Sequence, residues 1–355
     1  MAGFRLIAVC GLKIRRIYDY LYPLTKRNMN SKVGWGLIGL GHIAGKFAAD
    51  LARVSGAELR AVASRDLGKA AEFKAHYGAR KAYGSYAELF ADPAVEVVYI
   101  ASPHNLHYAH TLEALEAGKH VLCEKPMGIN SGQVKNMHAL ADKKGLFLME
   151  ALWSRFNPAI REVCDFVRDG GVGPLAYLKA DFAFPALDRD PRGRLLNPEL
   201  AGGSLLDIGI YPVFLAYLLL GVPEEVRVLA NFHQTGVEKQ IGILFGYPEA
   251  MALLYSGFTS RSEMRAEISG HSGNIYLSPR WHQAESYELD LGGEVRTVSH
   301  PFNGAGYTYE IEEVHRCLEA GSTQSALWSR ADSTALHGLL DRIRAQAGIV
   351  FPEAS

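Results

Sequence analysis

Cysteine is scarce in this chain, and its placement fits none of the common cysteine-based scaffolds. Cys10, Cys123, Cys164 and Cys317 form no C-x-x-C pair. That spacing offers neither a disulfide framework nor a structural zinc site, so a reducing, cytoplasmic location is expected. An excess of one charge is also missing. The formal net charge is -1 over 355 residues, which gives nucleic acid or an anionic membrane nothing to be drawn to. Nor is there a long hydrophobic run. The longest, residues 213–222, covers about ten residues where a bilayer needs about twenty, and it reads as a buried helix. What remains is the make-up of a globular enzyme, 48% hydrophobic and 21% charged, long enough to divide into two domains.

The first 32 residues differ from the rest. Arg5, Lys13, Arg15, Arg16, Lys26 and Arg27 precede Met29 against the single acid Asp19. Residues 6–10 are too short for the apolar core of a secretion signal, and Arg15-Arg16 precedes no apolar segment. Residues 1–32 are therefore read as an extension, disordered or targeting, or as the product of a start codon upstream of Met29.

From Val33 onward, apolar strands alternate with helical stretches. Strands are expected at 34–40, 59–64, 95–102, 120–124 and 147–152. Helices are expected at 43–54, 67–77, 107–117 and 131–144, with a short one opened by the capping-box spacing of Ser85 and Glu88. This rhythm predicts a parallel, doubly wound sheet over residues 33–150. After residue 151 the pattern changes. A helix at 158–169 and a strand at 175–184 lead into a loop rich in proline and arginine, 185–198. A strongly apolar helix follows at 204–220. Strand-like runs at 226–233, 239–247, 251–258, 265–270, 274–277 and 287–291 come next, with no helix between them, and two helices end the chain. Residues 151–355 are thus expected to form an α+β domain with a mostly antiparallel sheet.

The chemistry begins at Gly39-Leu40-Gly41-His42-Ile43-Ala44, between the first strand and the first helix. Gly39 permits the tight turn and Gly41 lets the backbone approach a pyrophosphate. The first helix amides, from His42 and Ile43, stabilise its charge. In this context the motif reads as a dinucleotide site. At the end of the second strand an NAD site usually places a carboxylate for the ribose. Here Ser64 and Arg65 stand there, with Lys69 one turn on, and they suit a 2′-phosphate. The expectation is NADP rather than NAD, the alternative being that Asp66 takes the ribose. Ser102, His104, Asn105 and His107 follow the 95–102 strand and read as a loop against the nicotinamide half of the cofactor. The triplet spacing of His104, His107 and His110 raises the question of a metal. Pro103 and Asn105 make His104 a loop residue with no acid or cysteine nearby in sequence, so no metal is expected.

Glu124-Lys125-Pro126 closes the 120–124 strand. A lysine there is costly to desolvate unless it has a role, and strand ends are where such sheets bind ligands. Asp207 and Tyr211 lie four apart in the apolar helix, which puts them on one helix face. Hydride removal from an alcohol must be matched by loss of the hydroxyl proton, and without a metal a side chain must take it. Lys125 and Tyr211 are read as one acid/base unit, the ammonium lowering the phenol's pKa, with Asp207 orienting a substrate hydroxyl.

These motifs, in this order, resemble the glucose–fructose oxidoreductase/inositol dehydrogenase (Gfo/Idh/MocA) family from about residue 33 to the end. Residues 147–156, 233–237 and 304–307 add to the likeness. A tyrosine at 211, where many relatives carry histidine, resembles the branch holding the dihydrodiol dehydrogenases and the NADP-dependent D-xylose dehydrogenases. The resemblance implies a Rossmann domain joined to an open-faced sheet domain that often mediates homodimer formation. It implies Lys125 beside the nicotinamide, Tyr211 as general acid/base, and Glu124, Trp153, Arg155 and Phe156 at the cofactor and substrate cleft. The expected function is an NADP-dependent oxidoreductase acting on a small cyclic polyol, a pyranose or a trans-dihydrodiol. Two other readings stand beside it. One is a ligand-sensing regulator of the same fold, which would not need the lysine–aspartate–tyrosine set. The other is a glycosidase that keeps NAD bound through turnover.

Overall fold

The structure is a computed structural model that describes residues 32–352, so the reading of an N-terminal extension falls outside the described residues except at Lys32. Its first sheet contains β1 (Val33–Ile38), β2 (Ala57–Ala63), β3 (Lys81–Tyr83), β4 (Val97–Ile100), β5 (His120–Glu124) and β6 (Leu148–Ala151). All pairings are parallel and the spatial order is β3-β2-β1-β4-β5-β6. Helices α1 (His42–Leu51), α2 (Leu67–Tyr77), α3 (Tyr86–Ala91), α4 (His107–Glu116) and α5 (Ser131–Lys144) make the crossovers. Every residue of β1, β4 and β6 is buried. That is why β1 and β4 read as unbroken apolar runs, with helices covering both faces, and β6 is interrupted only by the buried Glu150. The strand order reverses between β1 and β4, and the ends of β1, β2, β4, β5 and β6 all open on that switch point. The capping box at Ser85 and Glu88 is present.

The second sheet is built from β7 (Leu175–Ala183), β8 (Glu225–Phe232), β9 (Glu238–Gly246), β10 (Met251–Gly257), β11 (Ala266–Gly270), β12 (Gly273–Leu277), β13 (Ser286–Leu291) and β14 (Glu294–Ser299). Its order is β14-β13-β12-β11-β7-β10-β9-β8, antiparallel except where β10 lies parallel to β7. One face packs on a π-helical turn, Leu205–Gly209, and on α7 (Ile210–Leu220). The other carries Leu229, Met251 and Leu253 exposed. Two strands escape sequence reading. β3 has three residues, and β14 is exposed along almost its whole length, so neither carries an apolar pattern. The expected helix from residue 204 begins as the π-helical turn instead. Pro198–Leu220 is long and apolar enough to cross a membrane, yet 78% of its most apolar window is buried inside the protein. It belongs to the core, as the overlapping apolar run at 213–222 predicts.

Between the sheets, α6 (Pro158–Arg168) begins under a double cap from Asn157. The chain then returns through α8 (Thr308–Glu319) and α9 (Arg330–Ala347) to the first sheet. Trp35 of β1 donates through Nε1 to His315 of α8 at 3.0 Å, and Phe47 of α1 stacks on Tyr99 at 3.6 Å. The loop before α5 is tied to α9 by Ser131 N–H to Asp341 (2.9 Å) and Arg344 to the Ile129 carbonyl (2.5 Å).

Entry to the π-helical turn rests on one buried carboxylate. Glu238 Oε1 accepts from Leu205 N–H at 2.7 Å, and Oε2 is buried without a partner. Gly203, at φ +116°, leaves room for it, since a Cβ there would lie 2.4 Å from the carboxylate oxygens. Burial pushes this carboxyl up to about 7 from 4.5, against the pull of the Leu205 N–H. A raised folded-state pKa gives stability that is whole below 4.5 and is lost as pH rises through about 7. Glu238→Gln keeps an oxygen for Leu205 but cannot ionise. Between pH 5 and 8 the variant should lose roughly 2–3 kcal/mol less unfolding free energy than the wild type. Guanidinium unfolding at the two pH values measures this, and equal losses would show that the carboxyl titrates normally.

Candidate active site

A cleft of about 940 Å³ opens at the switch point, floored by the first sheet and walled by the second. The glycine turn forms one end. Gly39 has φ +76°, and a Cβ would sit 2.3 Å from the Ala101 carbonyl carbon and the Ser102 nitrogen. No other residue fits there. Gly41 is different. Its φ is -99°, and a Cβ added there would find no atom nearer than the Gly39 oxygen at 3.8 Å, so the space above it is open. Helix α1 starts at this point with no side-chain cap and no acid in its first turn. Uncapped amides under an open space make a cradle for phosphate, and the residues fit a dinucleotide. Ile43 lines the cleft. His42 has an exposed side chain outside the lining, so it contributes backbone only.

Ser64, Arg65 and Lys69 line the same cleft. Asp66 is occupied elsewhere: its carboxylate caps α2 by accepting from Lys69 N–H at 3.2 Å. In the loop after β4, Ser102, His104 and His107 line the cleft, while Asn105 turns away and donates to the Glu199 carbonyl at 2.9 Å. The three histidines do not converge. His104 lies against the Ala201 carbonyl (3.4 Å), and His107 sits between the carbonyls of Pro126 (2.8 Å) and Ser102 (2.7 Å). His110 meets the Ser102 hydroxyl (3.0 Å). Burial drives His104 down to about 3 and His110 to about 4. Among the described residues no three His, Cys, Asp or Glu side chains are grouped to hold a metal.

Lys125 follows β5 with a cis bond to Pro126. Its Nζ donates to the Asp207 carbonyl at 2.5 Å, lies 3.6 Å from Asp207 Oδ1, and sits 5.0 Å from the centre of the Tyr211 ring. Arg194 donates to the same Oδ1 at 2.7 Å. Burial lowers the Lys125 pKa, and the carboxylates of Asp207 and Glu124 pull it partly back. For Asp207 burial acts upward, but Arg194 and then Lys125 outweigh it and hold the carboxyl well below its usual range. Glu124 accepts from the Tyr99 hydroxyl and from Lys125 N–H, and burial raises it.

Tyr211 departs from expectation. Burial, followed by the charge of Glu124, lifts its phenol well above the ordinary value instead of lowering it. Lys125 faces the ring and not the phenol oxygen, which accepts from Trp153 Nε1 at 2.8 Å. Asp207 belongs to the π-helical turn and Tyr211 to α7, yet both line the cleft across that junction. The carboxylate of Asp207 first secures two cations, so it holds Lys125 in place as well as facing the cleft. Trp153 lines the cleft and stacks on Tyr307 at 4.9 Å. Arg155 does not: its Nε donates to the Leu327 carbonyl at 2.7 Å. Phe156 is packed in the core. Trp153–Phe156 is a single 3-10 turn, in which residues two apart point to different sides.

Several lining residues do not stand out from sequence: Arg194, Phe182, Phe184, His282 and Phe302, while Tyr307 does so only within the 304–307 stretch. Only Arg194 carries a signal, because a carboxylate in an apolar helix needs a cation and the 185–198 loop is rich in arginine. Glu150 is equally silent. This buried carboxylate accepts from Met127 N–H (2.9 Å), His337 (2.9 Å), Ser333 (2.7 Å) and Trp328 (3.3 Å), fixing the chain just beyond Pro126.

Comparison with known proteins shows the family and the fold. Residues 33–152 match the model of an oxidoreductase family with an NAD-binding Rossmann fold, GFO/IDH/MocA, and residues 160–276 match the C-terminal domain of the same family. The chain is 37% identical over 332 residues to trans-1,2-dihydrobenzene-1,2-diol dehydrogenase of Mus musculus, covering 90% of this chain and 98% of that protein. The Homo sapiens protein of that name is also 37% identical, with the same coverage. Among solved structures, the aldose-aldose oxidoreductase of Caulobacter crescentus complexed with glycerol superposes with a TM-score of 0.81 at 28% identity. A 3-ketoreductase from Actinomadura kijaniata, in complex with NADP and TDP-benzene, gives 0.81 at 26% identity. Each covers 89% of this chain and 98% of the other.

The two glycines should fail in different ways. Gly39→Ala should lower thermal stability and weaken dinucleotide binding together, since its methyl meets backbone. Gly41→Ala should leave the melting temperature of the free protein nearly unchanged and weaken dinucleotide binding by about tenfold or more. Fluorescence titration with reduced dinucleotide beside thermal unfolding tests this, and undiminished binding by Gly41→Ala would remove the phosphate from that cradle.

Proposed function

Because the chain belongs to the GFO/IDH/MocA oxidoreductase family, we propose that it is an NADP-dependent dehydrogenase of small cyclic polyols, either trans-dihydrodiols or pyranose aldoses such as D-xylose. One observation carries this reading. A buried lysine, Lys125, stands at the strand end of a dinucleotide cleft with Asp207 beside it and the Tyr211 ring 5.0 Å from its ammonium. The bound nicotinamide supplies or accepts the hydride at the carbinol carbon.

The protein's part concerns the oxygen on that carbon. A buried phenol with a raised pKa is neutral at working pH, so Tyr211 is set to give its proton to a carbonyl oxygen in the reducing direction. The phenolate left behind is stabilised by the nearby ammonium of Lys125, which Asp207 keeps in place. Oxidation runs the same path backwards, the phenolate taking the hydroxyl proton. Glu124 and the loop of Ser102, His104 and His107 shape the space beside the lysine.

NADP is favoured because Ser64, Arg65 and Lys69 face the cleft while Asp66 is spent on its helix cap. Diol and sugar substrates are favoured by the named activities of the relatives. The same reading takes the exposed face of the second sheet, with Leu229 78% exposed, as a homodimer surface. It places the protein in the cytoplasm, where Cys123, Cys164 and Cys317 stay free.

Lys125→Met should abolish turnover while changing NADPH affinity no more than about threefold, because the loss concerns proton handling and not phosphate binding. A panel of dihydrodiols and aldoses with either dinucleotide, followed by nicotinamide absorbance, tests this, and substantial activity in the variant would overturn the assignment. Separately, Arg65→Ala should raise the KM for NADP about tenfold or more and leave that for NAD nearly unchanged. A wild-type preference for NAD would refute the reading of Ser64 and Arg65.

A further inference from the structure

His282 has no part in the proton transfer between Tyr211 and substrate, yet the fold goes to some length to place it in the cleft. It sits in the 3-10 turn Trp281–Gln283, which the chain enters through Arg280 at φ +61° and ψ 47°, a left-handed conformation that L-residues rarely adopt. The turn is pinned from three directions. Trp281 Nε1 donates to the Asp181 carbonyl at 2.9 Å, Ser154 Oγ to the His282 carbonyl at 2.5 Å, and Asn157 to the Ala284 carbonyl at 3.0 Å.

The imidazole that results is 7% exposed, lines the cleft, and stacks on Phe182 at 4.2 Å with the planes 19° apart. Its centre lies 5.3 Å from the Tyr211 ring. Nδ1 is buried with no hydrogen-bond partner among the described residues. A buried N–H without an acceptor is rarer and costlier than a bare lone pair, so the proton belongs on Nε2. Burial, then Lys125, Arg280 and Lys46, hold the ring neutral by pushing it down to about 3. The cleft therefore contains a fixed, uncharged donor set in an aromatic wall.

We propose that His282 is a substrate-binding residue whose Nε2–H donates to a second oxygen of the substrate, on the carbon next to the one whose oxygen Tyr211 serves. With their centres 5.3 Å apart, the two rings are close enough to address oxygens on neighbouring carbons of one six-membered ring. Phe182 and Tyr211 cover the apolar remainder. The site thus selects vicinal oxygens, the feature shared by a trans-diol and a pyranose. This rests on the proposed dehydrogenase reading for the placement of the first oxygen.

The test separates the two. Binding of trans-1,2-cyclohexanediol and of cyclohexanol to the NADPH-loaded protein is measured by calorimetry, a dead-end complex in which no hydride moves. The wild type should bind the diol at least about tenfold more tightly. His282→Phe, which keeps the stack on Phe182 but has no donor, should lose about that factor for the diol and stay within about twofold for the monool. His282→Gln, which returns an N–H, should recover part of it. In turnover, His282→Phe should raise the diol KM with kcat within about threefold. Equal losses for both ligands, no loss for either, or a wild type that does not prefer the diol would each overturn the proposal. A wild type that prefers the diol in binding through His282 but turns over no diol or aldose would overturn the dehydrogenase reading alone.

Discussion

The cleft depends on keeping one ammonium charged in a place that disfavours charge. The Lys125 side chain is 12% exposed and that of Asp207 8%. An unpaired ion at that depth is costly to desolvate, and removing one member of a buried pair typically costs about 3–5 kcal/mol. The carboxylate of Glu124 and two other groups oppose the penalty. The carbonyl and carboxylate of Asp207 both face the ammonium, and the π-face of Tyr211 adds a favourable quadrupole. Asp207 can serve only because Arg194 shares its charge. The lysine, the aspartate, the arginine and Glu124 therefore form one electrostatic unit beside the Tyr211 ring, and each shifts the protonation of others in it.

A unit of this kind is useful only if its backbone does not drift, and the structure secures it from both domains. On the lysine side, Glu150 takes the amide of Met127 and His107 meets the carbonyl of Pro126. The tight segment after Lys125 is thus gripped on its N–H and C=O sides. Burial acts to raise Glu150, but the pairing with His337 and the hydrogen bonds around it dominate, and the carboxyl is driven down. On the tyrosine side, Glu238 fixes the first amide of the π-helical turn. Both anchors are interior carboxyl groups accepting backbone N–H groups, and the one at Glu150, held ionised, is stronger than a neutral hydrogen bond.

Legibility in the sequence follows from where each constraint originates. Strands buried on both faces are largely apolar, so the first sheet except its edge strand β3 can be read directly, and the glycine turn announces itself because Gly39 permits no substitute. Asp207 and Tyr211 stand out as polar residues in an apolar helix. The parts that stay hidden are those fixed by distant contacts. Asn105 and Arg155 lie among true lining residues, but single backbone carbonyls at Glu199 and Leu327 capture them. His282 lies in a stretch with no pattern of its own, and only the packing of Trp281 and Ser154 brings it to the cleft. The direction of the phenol pKa is hidden for the same reason. Sequence gives the pairing of a lysine and a tyrosine, but not that the ammonium meets the face of the ring.

That last difference bears on how the site works. Had Lys125 bonded to the phenol oxygen, it would favour the phenolate at rest and commit the site to proton abstraction. Placed over the ring, it leaves the oxygen to Trp153, a donor that lowers the phenol pKa too little to offset burial. The resting state is then a neutral acid beside a cation. In the proposed reaction, charge would appear on the tyrosine only as its proton is shared with a substrate oxygen, and there the fixed ammonium would stabilise it most. An arrangement stabilising the phenolate permanently would make it a weaker base, and stabilising that ground state raises the barrier for leaving it. One that stabilises it only during transfer would serve both directions of the proposed reaction.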